Sequence, residues 1–185
     1  MAALKEWAIV CKALEEGRQV LILRKGGIME YRQGFEVKHN SFLLYPTFEH
    51  QSEESIQPDY IHKLSGVLHA PINGTNRITS YAKVVGVKEV TDKLVLQALK
   101  KYHIWNDNYV DVRMNYNPKK PMSIVLLRVY KISNPMEVDI KSEWVGCKSW
   151  IPIDFVMPTD NKSNQPVLDD FKFNQILDEI YEVLN

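Results

Sequence analysis

One run of ten residues constrains this chain more than any other. From Ser123 to Ile132 the sequence reads Ser-Ile-Val-Leu-Leu-Arg-Val-Tyr-Lys-Ile, apolar at seven of its ten positions, four of them consecutive, and rich in branched side chains. A strand points successive side chains to opposite faces, so a stretch apolar at consecutive positions needs cover on both sides. The run is far shorter than the roughly 20 apolar residues that cross a bilayer. It therefore predicts the central strand of a sheet with other layers packed against both faces.

The rest of the chain supplies those layers. Leu4, Trp7, Ala8, Cys11 and Leu14 recur at helical spacing, and Gly17 follows where a left-handed cap closes a helix, which predicts an amphipathic helix over 3–16. Gln19 to Leu23 reads as a strand ending in the turn Arg24-Lys25-Gly26-Gly27, and Phe42 to Tyr45 as a second strand stopped by Pro46. A short helix starts at Pro58, and Ile78 to Val90 forms a long strand with a bend or bulge at Gly86. Thr91 and Asp92 cap a helix that carries Leu94, Val95, Ala98, Leu99 and Tyr102 on one face. Cys147 to Ile151 reads as a short edge strand before Pro152, the stretch Thr159 to Gln165 as a polar loop, and Phe171 to Leu184 as a terminal helix. Helix, strands, helix, strands, helix is the order of an α+β fold. The expectation is one domain over 1–185, built on a single mixed, largely antiparallel sheet or a small partly open barrel, with N-terminal, central and C-terminal helices flanking it.

Charge and cysteine usage remove several classes of function. Lys and Arg number 23 and Asp and Glu 23, so no global positive field draws phosphate backbones and any nucleic-acid contact must come from a local patch. Cys11 and Cys147 lie far apart and outside any C-x-x-C pair, which speaks against a disulfide framework or a thiolate zinc site and fits a reducing cytoplasm. His39, His50, His62, His69 and His103 form no H-x-x-x-H or H-E-x-x-H pair. No P-loop or dinucleotide fingerprint occurs, so no cofactor and no metal are expected. The charged amino terminus lacks a signal-peptide core, and no membrane span is expected.

Three short segments concentrate the polar chemistry. Arg24 and Lys25 place two cations beside Gly26 and Gly27, whose backbone N–H groups suit an anion, although a plain hairpin turn needs the same glycines. Tyr45, Thr47, Glu49, His50 and Gln51 crowd around a proline turn; Glu49 and His50 offer an acid and a base, while alternation on an extended strand would point them to opposite faces. Lys148, Ser149 and Trp150 could line a ring-sized pocket, with core packing the alternative for the tryptophan. A fourth stretch interleaves Lys100, Lys101, His103, Trp105, Tyr109, Arg113, Lys119 and Lys120, a pattern that suits single-stranded nucleic acid as well as a solvated helix end diluted by Asp107 and Asp111. The short nuclease pattern D/E-x-K occurs at Glu36-Val-Lys38, Asp139-Ile-Lys141 and Asp170-Phe-Lys172, often enough by chance to carry little information; Asp139 and Lys141 are the preferred pair.

Ala3-Leu-Lys-Glu-Trp7, Leu21-Ile-Leu-Arg-Lys-Gly-Gly-Ile28, Phe42-Leu-Leu-Tyr-Pro-Thr-Phe-Glu-His-Gln51, Leu126-Leu-Arg-Val-Tyr130 and Gly146-Cys-Lys-Ser-Trp150 together resemble the bacterial domain-of-unknown-function family 1802 across nearly the whole chain. That resemblance implies no activity. Some members are linked to restriction-type nuclease domains, which implies a setting in DNA restriction or phage defence and a nuclease as partner protein. More loosely, the strand around Tyr81 to Lys88 with its following helix and strand resembles small β-barrels that read modified bases.

These readings converge on a binding module for DNA or RNA, with Arg24 and Lys25 on phosphate, Thr47, Glu49 and Gln51 on base edges and Trp150 stacking. The alternatives are a phosphodiester or nucleotide hydrolase using Glu49 and His50, metal-dependent or by acid and base, and a protein-interaction partner of a defence nuclease. The binding and hydrolase readings require the three segments to meet in one accessible hollow, whereas an interaction partner predicts no pocket and an exposed apolar patch instead.

Overall fold

The computed structural model describes residues 1–25, 37–67, 74–146, 148–155 and 164–185. Gly26, Gly27, Glu36, His69 and Cys147 lie outside the described residues, as do the turn at Asn73 and most of the loop at Thr159 to Gln165.

Among the described residues, seven strands form one mixed sheet that does not close. They are β1 (Ala2–Trp7), β2 (Leu21–Arg24), β3 (Ser41–Thr47), β4 (Thr75–Val90), β5 (Met122–Asp139), β6 (Trp150–Pro152) and β7 (Asn164–Pro166). Their order is β2-β5-β4-β3-β1-β6, and β7 pairs with β5 beyond the end of β2. Among the described residues only the β1–β3 pairing is parallel. The described residues also form five α-helices that pack around the sheet: α1 (Ala8–Glu15), α2 (Pro58–Leu64), α3 (Lys93–Ala98), α4 (Asp107–Asn115) and α5 (Asp170–Leu184). The fold is α+β.

The apolar run lies in β5, which has β4 on one side and β2 and β7 along the other, and Met122 through Val129 are all buried. The long β4 shifts register between Val84 and Gly86, where a bulge was expected, and again between Ile78 and Ser80. Gly86 sits at a close approach: a Cβ there would stand 2.6 Å from the Tyr181 hydroxyl of α5, so a larger residue needs Tyr181 to shift.

The first sixteen residues depart from expectation. Leu4 and Trp7 keep helical spacing with Ala8, Cys11 and Leu14, yet residues 2–7 form β1 and only 8–15 are helical. Tertiary pairing outweighs local periodicity here, because β1 is bonded on both sides, to β3 and to β6, and each face enters a different core. Ala3 packs in a cluster with Leu43, Tyr45, Tyr81 and Trp144, whereas Leu4 packs with the main core under α1 and β5. The helix stop is as read: Gly17 at φ +67 donates to Leu14 O and Arg18 donates to Ala13 O, the paired bonds of a Schellman cap.

Two further differences concern extent. β3 runs through Pro46 to Thr47, since proline needs no ladder donor near a strand end. The helix after Asp92 stops at Ala98 and buries Leu96, while Leu94 is 69% exposed and Tyr102 lies in a following 3-10 turn. The 107–115 segment forms α4, capped by the Asn106 side chain, which accepts from the Tyr109 N–H at 2.9 Å.

The sheet curls strongly. Three strands separate β2 from β1, about 19 Å on a flat sheet at ordinary strand spacing. Nevertheless Arg24 Nη2 of β2 donates to the Lys5 carbonyl of β1 at 2.6 Å. The two regions are therefore brought edge to edge, and Arg24 and Lys5, which bridge them, line the candidate cleft.

Candidate functional site

A cleft of 440 Å³ opens where the ends of β1 and β2, the turn after β3 and one face of α4 meet. Glu6 lies at its base, only 8% exposed, with Arg24 Nη2 at 3.3 Å from its carboxylate and the Trp7 N–H donating to it at 2.9 Å. The Thr47 hydroxyl donates to the Glu6 carbonyl at 3.0 Å. This buried carboxylate faces a guanidinium and accepts from a backbone donor, so Arg24 is part of the architecture as much as of the surface.

The opposite wall comes from α4. Tyr109 and Arg113, four residues apart, share one helix face and both line the cleft. Tyr109 stacks on the buried Trp105 at 5.1 Å and meets Trp7 edge-on at 5.8 Å, and the Arg113 guanidinium stands 5.6 Å over its ring. Burial pushes the Tyr109 phenol up, so it stays protonated as a donor. Asn108 and Ser55 complete that side. Glu49 and His50 form an exposed rim. They do not alternate as strand neighbours would, because β3 has ended at Thr47 and His50 adopts a left-handed backbone, φ +64. Counting the lining residues, Lys5, Arg24 and Arg113 bring three cations against the two carboxylates of Glu6 and Glu49.

Of the three expected segments, two supply their predicted side chains. Arg24 lines the cleft, and so do Thr47, Glu49 and His50. Lys25 turns inward instead, 4% exposed, and its ammonium donates to the Met114 carbonyl at 2.5 Å; burial, then the nearby Arg113 charge, lowers its pKa. Tyr45 is buried on the other side of the sheet against Trp144, ring centroids 5.9 Å apart. Gln51 is structural: its carbonyl oxygen accepts from the Ile9 N–H at 2.9 Å, giving α1 the side-chain cap Trp7 does not provide, and its amide donates to the Val67 carbonyl at 2.9 Å. The third segment contributes Gly146 to the cleft rather than Lys148, Ser149 or Trp150. Lys148 donates to the Glu143 carbonyl at 3.0 Å, Ser149 offers its carbonyl to the Lys5 N–H at 2.8 Å, and Trp150 packs edge-on against Phe42 and His39.

The fourth, basic and aromatic stretch divides. Lys100 pairs with Asp107 and Lys101 with Glu179, whereas Tyr109 and Arg113 reach the cleft. Lys5, Glu6 and Trp7 were hidden by their reading as helix. Of the D/E-x-K pairs among the described residues, Asp170 meets Arg128 at 2.6 Å, and Lys141 lies 5.1 Å over the Trp144 ring. Among the described residues no group of three or more His, Cys, Asp or Glu could hold a metal, and no helix is long and apolar enough to cross a membrane.

A family model described as a domain of unknown function, DUF1802, matches residues 3–179. The chain belongs to this family. No curated protein matches it. Among solved structures, this DUF1802 member is similar to ASCH from Zymomonas mobilis, at 12% identity and TM-score 0.46 over 95% of this chain and 92% of that one. Two point mutants of the same ASCH protein also match: one at 9% identity and TM-score 0.46 over 82% of this chain and 88% of that one, the other at 12% and 0.41 over 69% and 66%.

Proposed function

We propose that the protein binds nucleic acid through this cleft, taking an unpaired base against the Trp7 and Tyr109 wall and a phosphate beside Arg113. The observation that carries the reading is the juxtaposition of an aromatic wall with a cationic excess inside one accessible cleft, in a chain whose overall charge is zero. Stacking on an aromatic tolerates any base, while the local cations supply the salt-dependent part of affinity. Thr47 and Glu49 are the base-edge contacts in this reading. Arg113 replaces Lys25 as the phosphate contact, and Trp7 with Tyr109 replaces Trp150. Arg113→Ala is the direct test: affinity for a short single-stranded oligonucleotide should fall about tenfold, and the slope of log affinity against log salt should drop by about one. Binding that ignores both the substitution and the salt concentration removes the proposal. A cytoplasmic setting in restriction or phage defence, with a nuclease as partner protein, is its finer part, and co-purification from the native host tests it.

A second reading rests on the turn that brings Glu49 and His50 to the same rim, an acid and base pair for phosphodiester or nucleotide hydrolysis. Glu49→Gln separates the two readings. Hydrolysis requires turnover to disappear in the folded variant, whereas for a binding module the loss of a negative charge leaves affinity equal or higher at low salt.

A further inference from the structure

The cleft does not end at Lys5. Lys5, Thr47 and Glu49 also line a second hollow of 110 Å³, a quarter the volume of the first, on the far side of the same wall. Its floor is aromatic, formed by Tyr45 and Trp144 in edge contact. Its lips are Ile140 and Val145, 41% and 62% exposed, branched apolar side chains left in water beside a concavity. Segment 144–146 forms the partition, with Val145 facing the small hollow and Gly146 the large one. Lys5 fixes that partition, since its ammonium donates to the carbonyls of Trp144 and Gly146, both at 2.7 Å.

We infer that the second hollow is a subsite for a neighbouring nucleobase, so that the site takes two successive nucleotides of one strand and the linking phosphate crosses near the Lys5 ammonium. This rests on the nucleic-acid reading of the main cleft. A planar ring of modest size suits a small hollow with aromatic floor and apolar lips, because it is apolar on its faces and covers surface that water now wets. The positive charge on the shared wall lies where a phosphodiester joining two bases must pass. The Glu49 carboxylate on the same wall disfavours that phosphate and favours a base carrying an exocyclic amine, so the subsite should prefer adenine or cytosine over uracil.

Calorimetric titration of the full chain with cytidine 5′-monophosphate and with the dinucleotide cytidylyl-cytidine 5′-phosphate tests the inference. The dinucleotide should bind about tenfold more tightly. The paired substitution Ile140→Ser and Val145→Ser, at exposed positions that leave the core intact, should abolish that gain while mononucleotide affinity stays unchanged. Arg113→Ala should weaken both ligands alike. Equal affinity for the two ligands, or a lip variant that changes both or neither, overturns the subsite and leaves the main cleft standing. Failure of both ligands to bind overturns the cleft reading and the subsite with it.

Discussion

Two arginines of similar burial do opposite work in this molecule. Arg24 and Arg128 have side chains 15% and 8% exposed, and each pairs with a carboxylate. Arg24 faces Glu6, itself 8% exposed, across the gap between two regions of the curled sheet, and it lines an open cleft. Arg128 reaches out to Asp170, whose side chain is 93% exposed, while its guanidinium lies 4.3 Å over the Phe173 ring of α5. The first pair holds a buried negative charge in place; the second fastens a helix to β5 with its acidic partner already in water. Burial of an arginine does not reveal its role: the solvation of the group it faces does.

That contrast predicts unequal costs. Arg24→Ala leaves the Glu6 carboxylate buried and uncompensated, a loss of about 3–5 kcal/mol in chemical denaturation. A second change, Glu6→Leu in the same chain, should recover at least half of it, because removing both charges abolishes the unpaired one. If the single variant is as stable as the parent, the Arg24–Glu6 pair contributes nothing to stability and the comparison fails. The same argument makes Arg113→Ala, rather than Arg24→Ala, the cleaner probe of ligand contact.

A buried titratable group whose burial outweighs the charges of Asp107 and Lys100 near it sharpens the point. His103 is 4% exposed, and burial pushes its pKa down to about 4 from 6.5. The unfolded chain then binds the proton more readily, so stability contributed by the neutral imidazole is complete above pH 6.5 and is lost as pH falls toward 4, by up to about 3 kcal/mol. Melting measured across that window should flatten in His103→Met; an equally steep profile in the variant assigns the acid sensitivity elsewhere.

The smallest effect belongs to Arg128. Arg128→Ala strands no carboxylate, so its cost is the lost ring contact and stem packing, about 2 kcal/mol. Oligonucleotide affinity should match the parent at every salt concentration, since α5 does not line the cleft. A change in the salt slope would show that the two regions are coupled.

Much of the scaffold was legible along the chain because its signals are local. The apolar run of β5 demanded cover on both faces, Gly17 marked the end of α1, Gly86 marked the irregularity in β4, and Phe173 with Ile180 carried the buried stripe of α5. The candidate cleft was legible in pieces: Arg24, Thr47, Glu49 and His50, which line it, are side chains with polar chemistry near strand ends, a setting that can be read from composition and turns.

What the sequence by itself determined, then, is the set of segments that must be buried and the punctuation between them, because a side chain's apolarity and a backbone's freedom at glycine act wherever the chain goes. The tertiary structure decided which segments meet. Only pairing on both edges makes residues 2–7 a strand, only the curl sets Arg24 against Glu6, and only the docking of α4 puts Tyr109 and Arg113 opposite Thr47. Helical spacing at Leu4 and Trp7 was real but weak, since a few tenths of a kcal/mol per residue of helix propensity yield to the burial of two faces in two cores.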